Sequence, residues 1–337
     1  RSIACLRPRR YPPPTDSPDA FLAVIEEICR ADGVDAVVPL EEDIVRLLAE
    51  RGSELGSVTI VGPTAAQYRA LCDKAGLART AQSLGVYSPR IVEVRAGEPT
   101  GPWPALPSVV KPVTSTTAGA IVRLAQTFEE RDAFVAKIAA EGNAALVQEC
   151  ISGPRWVVHS VRGPGVFEYV AHRVHLEWPR TAGLASIKRP EPPPQSLVSA
   201  ARRLLEHVDY RGPSGISFLE RDGHYYVHDA NLRFGGTTGV SIHAGFDWPR
   251  RALEVALGLP GQPFSGAWRR GTYMRIDLEV NALRAALTER HGDQAVRVLS
   301  GIAVVAVDPR GRLDPSPIDP LGVWPTVGRF LSQGLVQ

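Results

Sequence analysis

The sequence predicts a mixed α/β (α+β) fold. Residues 17–62 alternate between helix and strand patterns, which is typical of a parallel sheet with covering helices. Two later segments, 155–175 and 214–231, each have the pattern of two strands around a glycine-containing turn, which predicts antiparallel hairpins. The 337 residues are 44% hydrophobic and 22% charged, an ordinary composition for a globular protein of two or three domains.

The N-terminal part is predicted to be a small Rossmann-like unit. A first helix starts at Ser17, has Pro18 in its first turn and ends at Gly33. A strand, a second helix and another strand follow, up to residue 62. The unit lacks the GxGxxG turn of a dinucleotide site, which disfavours an NAD-dependent oxidoreductase. Because the chain begins with Arg1 and shows no convincing first strand there, we expect a preceding N-terminal piece to be missing.

The central part is predicted to contain a second α/β unit. A capping box formed by Thr64 and Gln67 starts a helical segment. Residues 107–149 then show strand, loop, strand, capped helix and strand patterns. Residues 176–195 contain the run PEPPP and are predicted to form a long loop of the kind that acts as a lid or binding element. Beyond residue 266 the pattern predicts a helical and short-strand extension.

Composition and charge exclude several classes of partner. The chain has 38 basic and 36 acidic residues and a net charge of +2, so no bulk field recruits nucleic acid or an anionic membrane. Its four cysteines form no CxxC pair and show no metal spacing, which indicates reduced, structural thiols. No apolar run approaches the roughly 20 residues that a membrane span needs. The sequence therefore predicts a cytoplasmic protein with no nucleic-acid partner and no membrane partner.

Lysine is scarce in this chain, and its positions are informative. Against 34 arginines, the chain has only four lysines, Lys74, Lys111, Lys137 and Lys188. A lysine retained in such a chain indicates a site that needs a compact point charge, with chance as the alternative. Lys111 ends a predicted strand and precedes a loop of small residues that includes Thr116 and Thr117. Backbone amides in such a loop can approach phosphate closely, although a surface lysine beside a polar turn has the same pattern.

Residues 228–236, HDANLRFGG, place polar groups at every second position. In a strand, Asp229, Asn231 and Arg233 share one face, while Ala230 and Leu232 share the other. A carboxylate and an amide oxygen suit Mg²⁺, and an arginine can clamp a phosphoryl oxygen or an anionic intermediate. The preceding hairpin turn brings Ser217 close to Asp229. The alternative is a surface strand of alternating polarity.

The segment ALVQECISG, residues 145–153, is an apolar strand that leads into Gln148, Glu149, Cys150 and Ile151. A hinge of this kind can present backbone C=O and N–H groups to the edge of an adenine. An ordinary buried strand fits the same letters equally well. The neighbouring motifs therefore have to decide between the two interpretations.

In chain order, these motifs resemble the ATP-grasp superfamily over roughly residues 34–265. The segment DKAGLARTAQSLGVYSP, residues 73–89, is similar to the family's DK helix and its Gly-Val-x-x-Pro link. VQECISG is similar to the family's hinge, and HDANLR to its Glu-x-Asn-Pro-Arg segment. SIHAGFDWPRRALEVALG, residues 241–258, resembles the family's uncharacterised carboxylate-amine ligase-like members.

The resemblance implies roles for individual residues. It makes Lys74 and Lys111 the two lysines that hold the ATP phosphates, with adenine contacts from the segment Gln148–Ile151. It makes Asp229 and Asn231 ligands of Mg²⁺. Ser217 occupies the first metal-ligand position, where the family usually has an acidic residue or Gln.

The resemblance also implies an architecture and an activity. The expected parts are a truncated Rossmann-like domain (1–72), a small lid subdomain (73–150), a larger catalytic subdomain (151–265) and an extension (266–337). The expected reaction uses ATP to convert a carboxylate into an acyl phosphate, which an amine attacks to give an amide. The expected partners are small-molecule carboxylates and amines, with amino acids or peptides as examples, and a homodimer is allowed.

The tetrahedral intermediate of such a reaction needs a cationic clamp, for which Arg233, Arg173 and Arg189 are the candidates. Other basic residues of the segment 172–189 could bind a substrate carboxylate, and solvated loop charge is the alternative. Two departures from the family pattern, Ser217 and Arg155, support a second hypothesis. Arg155 stands where the family often has a glutamate that holds the ribose. A degenerate ATP-grasp protein would bind nucleotide for regulation or scaffolding without turnover.

Overall fold

The computed structural model describes residues 8–95, 102–113, 122–179 and 183–314. These residues form three sheets of two, four and seven strands, with helices packed on them. The mixed α/β prediction is therefore confirmed. Thr116 and Thr117, the phosphate-binding candidates after Lys111, lie outside the described residues.

The N-terminal unit has the predicted alternation of helix and strand. Its elements are α1 (Pro18–Asp32), β1 (Ala36–Val37), α2 (Glu42–Arg51), a 3₁₀ turn (Gly52–Leu55) and β2 (Thr59–Ile60). The two short strands pair in parallel, as predicted. Gly33 ends α1 with φ of 63°, a left-handed conformation that glycine adopts without strain. Phe21 and Leu48 belong to the small apolar core of the unit.

A chain of short helices leads to the next sheet. The elements are α3 (Ala65–Gln67), a π-helical turn (Tyr68–Cys72) and α4 (Lys74–Ser83). The predicted capping box is confirmed, because the Thr64 side chain accepts the N–H of Gln67 and the Gln67 side chain accepts the N–H of Thr64. This cap fixes the direction in which the chain enters α3.

The four-stranded sheet is antiparallel and has the order β3-β6-β4-β5. Its elements are β3 (Ile91–Val94), β4 (Ser108–Pro112), β5 (Arg123–Ala125), α5 (Phe128–Ala140) and β6 (Ala145–Glu149). Val110 and Val147 pack with Ile138 of α5 on one face. Lys111 lies opposite Leu146 in the pairing of β4 with β6, so its side chain is on the other face.

The seven-stranded sheet has the order β11-β10-β7-β8-β9-β12-β13. Its strands are β7 (Arg155–Gly163), β8 (Val166–Trp178), β9 (Leu184–Pro190), β10 (Gly212–Arg221), β11 (His224–Asn231), β12 (Tyr273–Arg275) and β13 (Arg312–Asp314). Both predicted hairpins are present. The loop predicted for residues 176–195 is wrong over much of its length, because β8 continues to Trp178 and β9 follows from Leu184. Ala185, Ser186 and Lys188 are buried in β9, so this segment is an interior strand of the sheet.

Helices complete the described chain. They are α6 (Gln195–His207), α7 (Thr238–His243), α8 (Trp248–Ala256), α9 (Ile276–Thr288) and α10 (Gly292–Val307). The predicted extension beyond residue 266 is thus helical with short strands, and β12 joins the large sheet by pairing with β9. Within the described ranges, none of the helices combines the length and the apolar character that crossing a membrane requires.

The two faces of the seven-stranded sheet differ in character. On one face, Trp156, Ile216 and Phe218 pack with the apolar side of α6; this is the helix-covered face. Residues directly opposite each other in antiparallel strands share a face, and the register therefore assigns seven polar residues to the other side. We call this the polar face, and it carries Arg155, His159, His172, Lys188, Ser217, Asp229 and Asn231.

Candidate nucleotide and metal site

Lys74 is presented by the first turn of α4. Asp73 caps this helix, because its Oδ1 accepts the N–H of Gly76 at 2.6 Å. A Cβ at position 76 would lie 1.8 Å from the carbonyl oxygen of Arg69, so the close approach of the π-helical turn to α4 requires glycine. The side chain of Lys74 is buried, and its charge acts on both Lys111 and Asp229.

Lys111 joins the two large sheets. It is 4% exposed, and its Nζ donates a hydrogen bond of 3.2 Å to the carbonyl oxygen of His228 in β11. Burial, and then the positive charge of Lys74, lowers the pKa of Lys111 to about 7, while Asp229 acts in the opposite direction. Two buried lysines that repel each other indicate a place where an anion would relieve the repulsion.

A β-bulge explains why His228 can accept this bond. Ser217 pairs with Asp229 and Phe218 pairs with Val227, so His228 is an extra residue in β11. The extra residue of a bulge is left out of the regular pairing, and here its carbonyl group faces Lys111. The predicted proximity of Ser217 to Asp229 is confirmed by the same register.

Asp229 and Asn231 form a linked pair of oxygen donors. The Asn231 Nδ2 donates to the Asp229 Oδ2 at 2.7 Å, and this leaves the amide oxygen of Asn231 available as a ligand. Burial alone would raise the pKa of Asp229, but the charges of Lys74, His228 and Lys111 outweigh it and lower the pKa. Asp229 is therefore ionised at neutral pH, as a metal ligand has to be.

The donor set fits one Mg²⁺. Such an ion is typically held by one or two carboxylates together with substrate phosphates and water. Over the described ranges, no group of three or more His, Cys, Asp and Glu residues is placed to hold a metal ion. Because Ser217 supplies only a neutral hydroxyl beside Asp229, these residues provide for a single ion that is completed by its substrate.

The hinge candidates lie at the end of β6, between β3 and β4. Gln148 is 4% exposed and Ile151 is 5% exposed. The N–H of Glu149 donates to the carbonyl oxygen of Arg90 at 2.8 Å, so this amide is already used within the protein. The Glu149 carboxylate accepts from Arg221 Nη1 at 2.9 Å and thereby ties the hinge to the hairpin of β10 and β11.

Arg233 follows β11 and contacts the N-terminal unit. Its Nε donates to the Glu42 Oε2 at 2.9 Å, and the other oxygen of Glu42 accepts from the Tyr68 hydroxyl at 2.8 Å. As the alternation predicted, Ala230 and Leu232 are buried in the core on the helix-covered face. The sequence did not single out Glu42 or Tyr68, because no local pattern reports an ion pair between residues 191 positions apart.

Arg173 and Arg189, the other two clamp candidates, lie on the helix-covered face. They are opposite each other in the pairing of β8 with β9, and Arg173 is also opposite Trp156. The guanidinium of Arg173 lies 5.4 Å from the centre of the Trp156 ring. The sheet therefore separates both arginines from Asp229, and the structure does not bring them to the site. The physical reason is register: Lys188 and Arg189 are adjacent, so they point to opposite faces.

Three residues of the polar face were not predicted from the sequence to lie together. Arg155, His172 and Lys188 are neighbours across β7, β8 and β9. The charge of Arg155 acts on Asp229 and on Lys188, so it lies between the two. A strand pattern in the segment 184–190 was the signal that could have identified Lys188 as buried.

Comparison with known proteins gives a likeness of fold. No family model matches this sequence, and no curated protein matches it. Among solved structures, biotin carboxylase from Campylobacter jejuni, determined as a complex with βγ-ATP, has a TM-score of 0.60 at 14% identity over 76% of this chain. An L-amino acid ligase from Bacillus licheniformis has a TM-score of 0.59 at 17% identity over 75% of this chain.

A third structure is the biotin carboxylase domain dimer of the Hydrogenobacter thermophilus 2-oxoglutarate carboxylase, in complex with MgADP, ADP and bicarbonate. It has a TM-score of 0.59 at 16% identity over 75% of this chain. The matched regions amount to 62%, 62% and 61% of the three neighbours' own chains. At these identities the comparison shows the fold that this chain shares with these proteins, and not their sites or activities.

Proposed function

Starting from the ATP-grasp fold of this chain, we propose that it is an ATP- and Mg²⁺-dependent ligase. It activates a small-molecule carboxylate as an acyl phosphate and joins it to an amine, giving an amide, ADP and phosphate. One observation carries the proposal. Lys74 from α4 and Lys111 from β4 meet Asp229 and Asn231 of β11 between two sheets, and their charges act on one another.

The residues have complementary roles in this reaction. Lys74 and Lys111 hold and screen the phosphates, and their mutual repulsion is relieved when the polyanion binds. Asp229 and Asn231 would hold Mg²⁺, which supplies charge neutralisation on the triphosphate. No protein nucleophile is required, because the substrate carboxylate itself attacks the γ-phosphorus in line.

Arg233 is the proposed clamp for the anionic intermediate. It follows Asp229 and Asn231 in the chain, and its ion pair with Glu42, which also accepts the Tyr68 hydroxyl, fixes its position. The segment Gln148–Ile151 is the proposed hinge for the adenine, with the carbonyl of Glu149 and the backbone of Ile151 as its contacts. Amino acids are the first substrates to test, since one structural neighbour is an L-amino acid ligase.

ATP consumption tests this proposal directly. The full chain is incubated with ATP, Mg²⁺ and pools of amino acids, and ADP and phosphate are measured with and without the pools. Hydroxylamine is added in a parallel series, because it traps an acyl phosphate as a hydroxamate. The expected result is ADP release and hydroxamate formation that depend on the carboxylate. Nucleotide binding without any pool-dependent ATP consumption would contradict the proposal.

That contrary result is what the second candidate function predicts. A nucleotide-binding protein without turnover is favoured by Ser217, a weak metal ligand, and by Arg155, which is half-buried and pairs with Glu177 at 3.3 Å. Such a protein would bind ADP and leave ATP intact in every pool.

A further inference from the structure

The polar face continues beyond the candidate metal site, towards β8 and β9. Asp229 is in register with Ser217, Ser217 with Val157, and Val157 with His172. His172 is therefore on the same straight row across the sheet as Asp229. Lys188 lies in the next row, opposite Val174, which is itself opposite Arg155.

Two side chains in this second region are buried without hydrogen-bond partners. Lys188 is 0% exposed, and its Nζ makes no hydrogen bond within the described structure. His172 is also 0% exposed, and neither of its ring nitrogens has a partner there. Buried polar groups are normally satisfied, because an unmade hydrogen bond costs about 1–3 kcal/mol in the protein interior. Two such groups on one face indicate that a ligand supplies the missing hydrogen-bond partners.

The surroundings of Lys188 are mainly cationic or aromatic. Its Nζ lies 5.2 Å from the centre of the Tyr273 ring. Arg155 of β7, which pairs with Glu177 of β8 at 3.3 Å, and Arg275 of β12 both act on it as positive charges. The two acids whose charge reaches Lys188, Asp277 of α9 and Asp314 of β13, already pair elsewhere. Asp277 binds Arg275 at 2.5 Å, and Asp314 accepts the hydroxyl of Tyr273.

The histidines of this region add no charge at neutral pH. Burial lowers the pKa of His159 to about 3 and the pKa of His172 well below its usual value. Both rings are therefore neutral at pH 7. His159 is already used, because its nitrogens bond the hydroxyls of Ser241 and Thr237. Burial, followed by Arg275, lowers the pKa of Lys188 to about 7.

Geometry separates this region from the site of phosphoryl transfer. Four strand-to-strand steps lead from β11 to β9, and at about 4.8 Å per step they place the backbones about 19 Å apart. A carboxylate bound at Lys188 is therefore not the one that Mg²⁺-bound ATP phosphorylates beside Asp229. Arg155 lies between the two positions, since its charge acts on both.

We infer that Arg155, His172 and Lys188 form a pocket for a second carboxylate of the substrates, remote from the bond that forms. Lys188 and Arg155 supply the positive charge, and the neutral His172 ring donates an N–H. The substrate class is then an amino acid, a peptide or a dicarboxylate, which keeps one free carboxylate while another group reacts. This assignment to a substrate rests on the proposed function, whereas the pocket itself does not.

The scarcity of lysine permits a direct test by NMR. In the full chain labelled with ¹³C at lysine Cε, only four lysine signals are expected, and each reports its own protonation. Lys188→Gln assigns one signal and Lys137→Gln, an exposed position on α5, assigns another. The pH titration of each signal is recorded alone, with acetate, with acetamide and with inorganic phosphate.

The expected result is specific to one signal and one ligand. The Lys188 signal titrates near pH 7 alone, and saturating acetate raises this midpoint to about 8 or above, because an anion favours the charged form. Acetamide leaves it unchanged, and the Lys137 signal does not respond to any of the three. A Lys188 signal that ignores acetate would overturn the inference, and one that responds only to phosphate would replace the carboxylate with a phosphate group.

The same spectra separate this inference from the proposed function. ATP with Mg²⁺ is expected to shift the Lys74 and Lys111 signals. If ATP shifts them while acetate leaves Lys188 unmoved, the second pocket fails and the ligase proposal stands. If acetate shifts Lys188 but no ATP is consumed in any amino acid pool, the pocket stands and the ligase proposal fails. The wild-type titration carries this test even if Lys188→Gln does not fold.

Discussion

The two ends of the polar face handle buried charge in opposite ways. At the β11 end, Lys74 and Lys111 share their environment with the ionised Asp229, which Asn231 also bonds. At the β9 end, Lys188 is buried beside Arg155, and the nearby acids are bound to other groups. At the first end an anion interacts directly with the lysines, whereas at the second end the carboxylates pair with arginines and Lys188 has no hydrogen-bond partner in the described structure.

This difference indicates what each end is built to bind. A site with both signs of charge suits a metal and a polyanion that arrive together, since each neutralises part of the other. A site with a buried lysine that no carboxylate bonds suits a simple anion. Lys111 and Lys188 are thus similar in burial and in pKa, yet their surroundings point to different ligands.

The largest effect is expected at the β11 end. Lys111→Met should lower the ATP consumption of the proposed reaction at least about 100-fold, because one preorganised charge on the transferring phosphoryl group is lost. Lys137→Met, the same change on the exposed side of α5, should have no effect. Steady-state ATP hydrolysis coupled to amide formation measures both, and circular dichroism checks the fold. Equal rates in the two variants would remove Lys111 from the site.

A second substitution tests the metal. Asp229→Asn removes the charged ligand. It should raise the Mg²⁺ concentration that gives half of the maximal rate at least about tenfold. Ser217→Ala should have a much smaller effect, because a neutral hydroxyl contributes little to holding Mg²⁺. The rates are followed while Mg²⁺ is titrated. A loss for Ser217→Ala as large as that for Asp229→Asn would show that the serine is an essential ligand.

The next prediction concerns stability at the β9 end. The folded protein releases the proton of Lys188 at about pH 7, while an unfolded lysine keeps its proton to about pH 10.5. Above pH 7 the unfolded chain therefore binds more protons, so the free energy of unfolding rises with pH. Between pH 7 and pH 9 this contribution amounts to about 2–3 kcal/mol.

Urea unfolding at several pH values measures this contribution. The free energy of unfolding of Lys188→Met should exceed that of the wild-type chain by most below pH 7. This advantage should shrink towards pH 9. Lys111 titrates in both proteins, so the comparison isolates Lys188. An advantage that does not change with pH would mean that Lys188 is not buried as a titrating cation.

The smallest effects are expected for the arginines on the helix-covered face. Arg173→Ala and Arg189→Ala should change turnover by no more than about twofold, since the sheet lies between them and Asp229. Arg155→Ala, on the polar face, should raise the KM for the carboxylate substrate by more than either. Kinetics with the best amino acid pool decides this, and a large loss for Arg173→Ala would contradict the assignment of faces.

Local chemistry let the sequence predict much of the fold. The capping box at Thr64, the hairpin turn between β10 and β11 and the alternation around Asp229 each depend on residues within a few positions of one another. The pairing of Ser217 with Asp229 followed from the hairpin alone. These predictions succeeded because turn chemistry and strand periodicity act over short distances.

The rest depended on contacts that no short pattern reports. The bulge at His228 and the irregular pairing near Leu176 decide which side chains face the site, and both arise from the partner strand. The loop prediction for residues 176–195 failed for a related reason, because proline-rich letters concealed an interior strand. The ion pair between Glu42 and Arg233 is a tertiary contact between distant segments.

Through that ion pair, the N-terminal unit contributes to the environment of Arg233. Glu42 and Arg233 are largely shielded from water, with side chains 11% and 20% exposed. A chain shortened to begin after α2 would lack Glu42. The Arg233 guanidinium would then lose both its counter-charge and the hydrogen-bond acceptor that orients it. Truncating the N-terminal unit, or exchanging it for that of another protein, therefore alters the environment of Arg233, although Glu42 and Arg233 are 191 positions apart in the sequence.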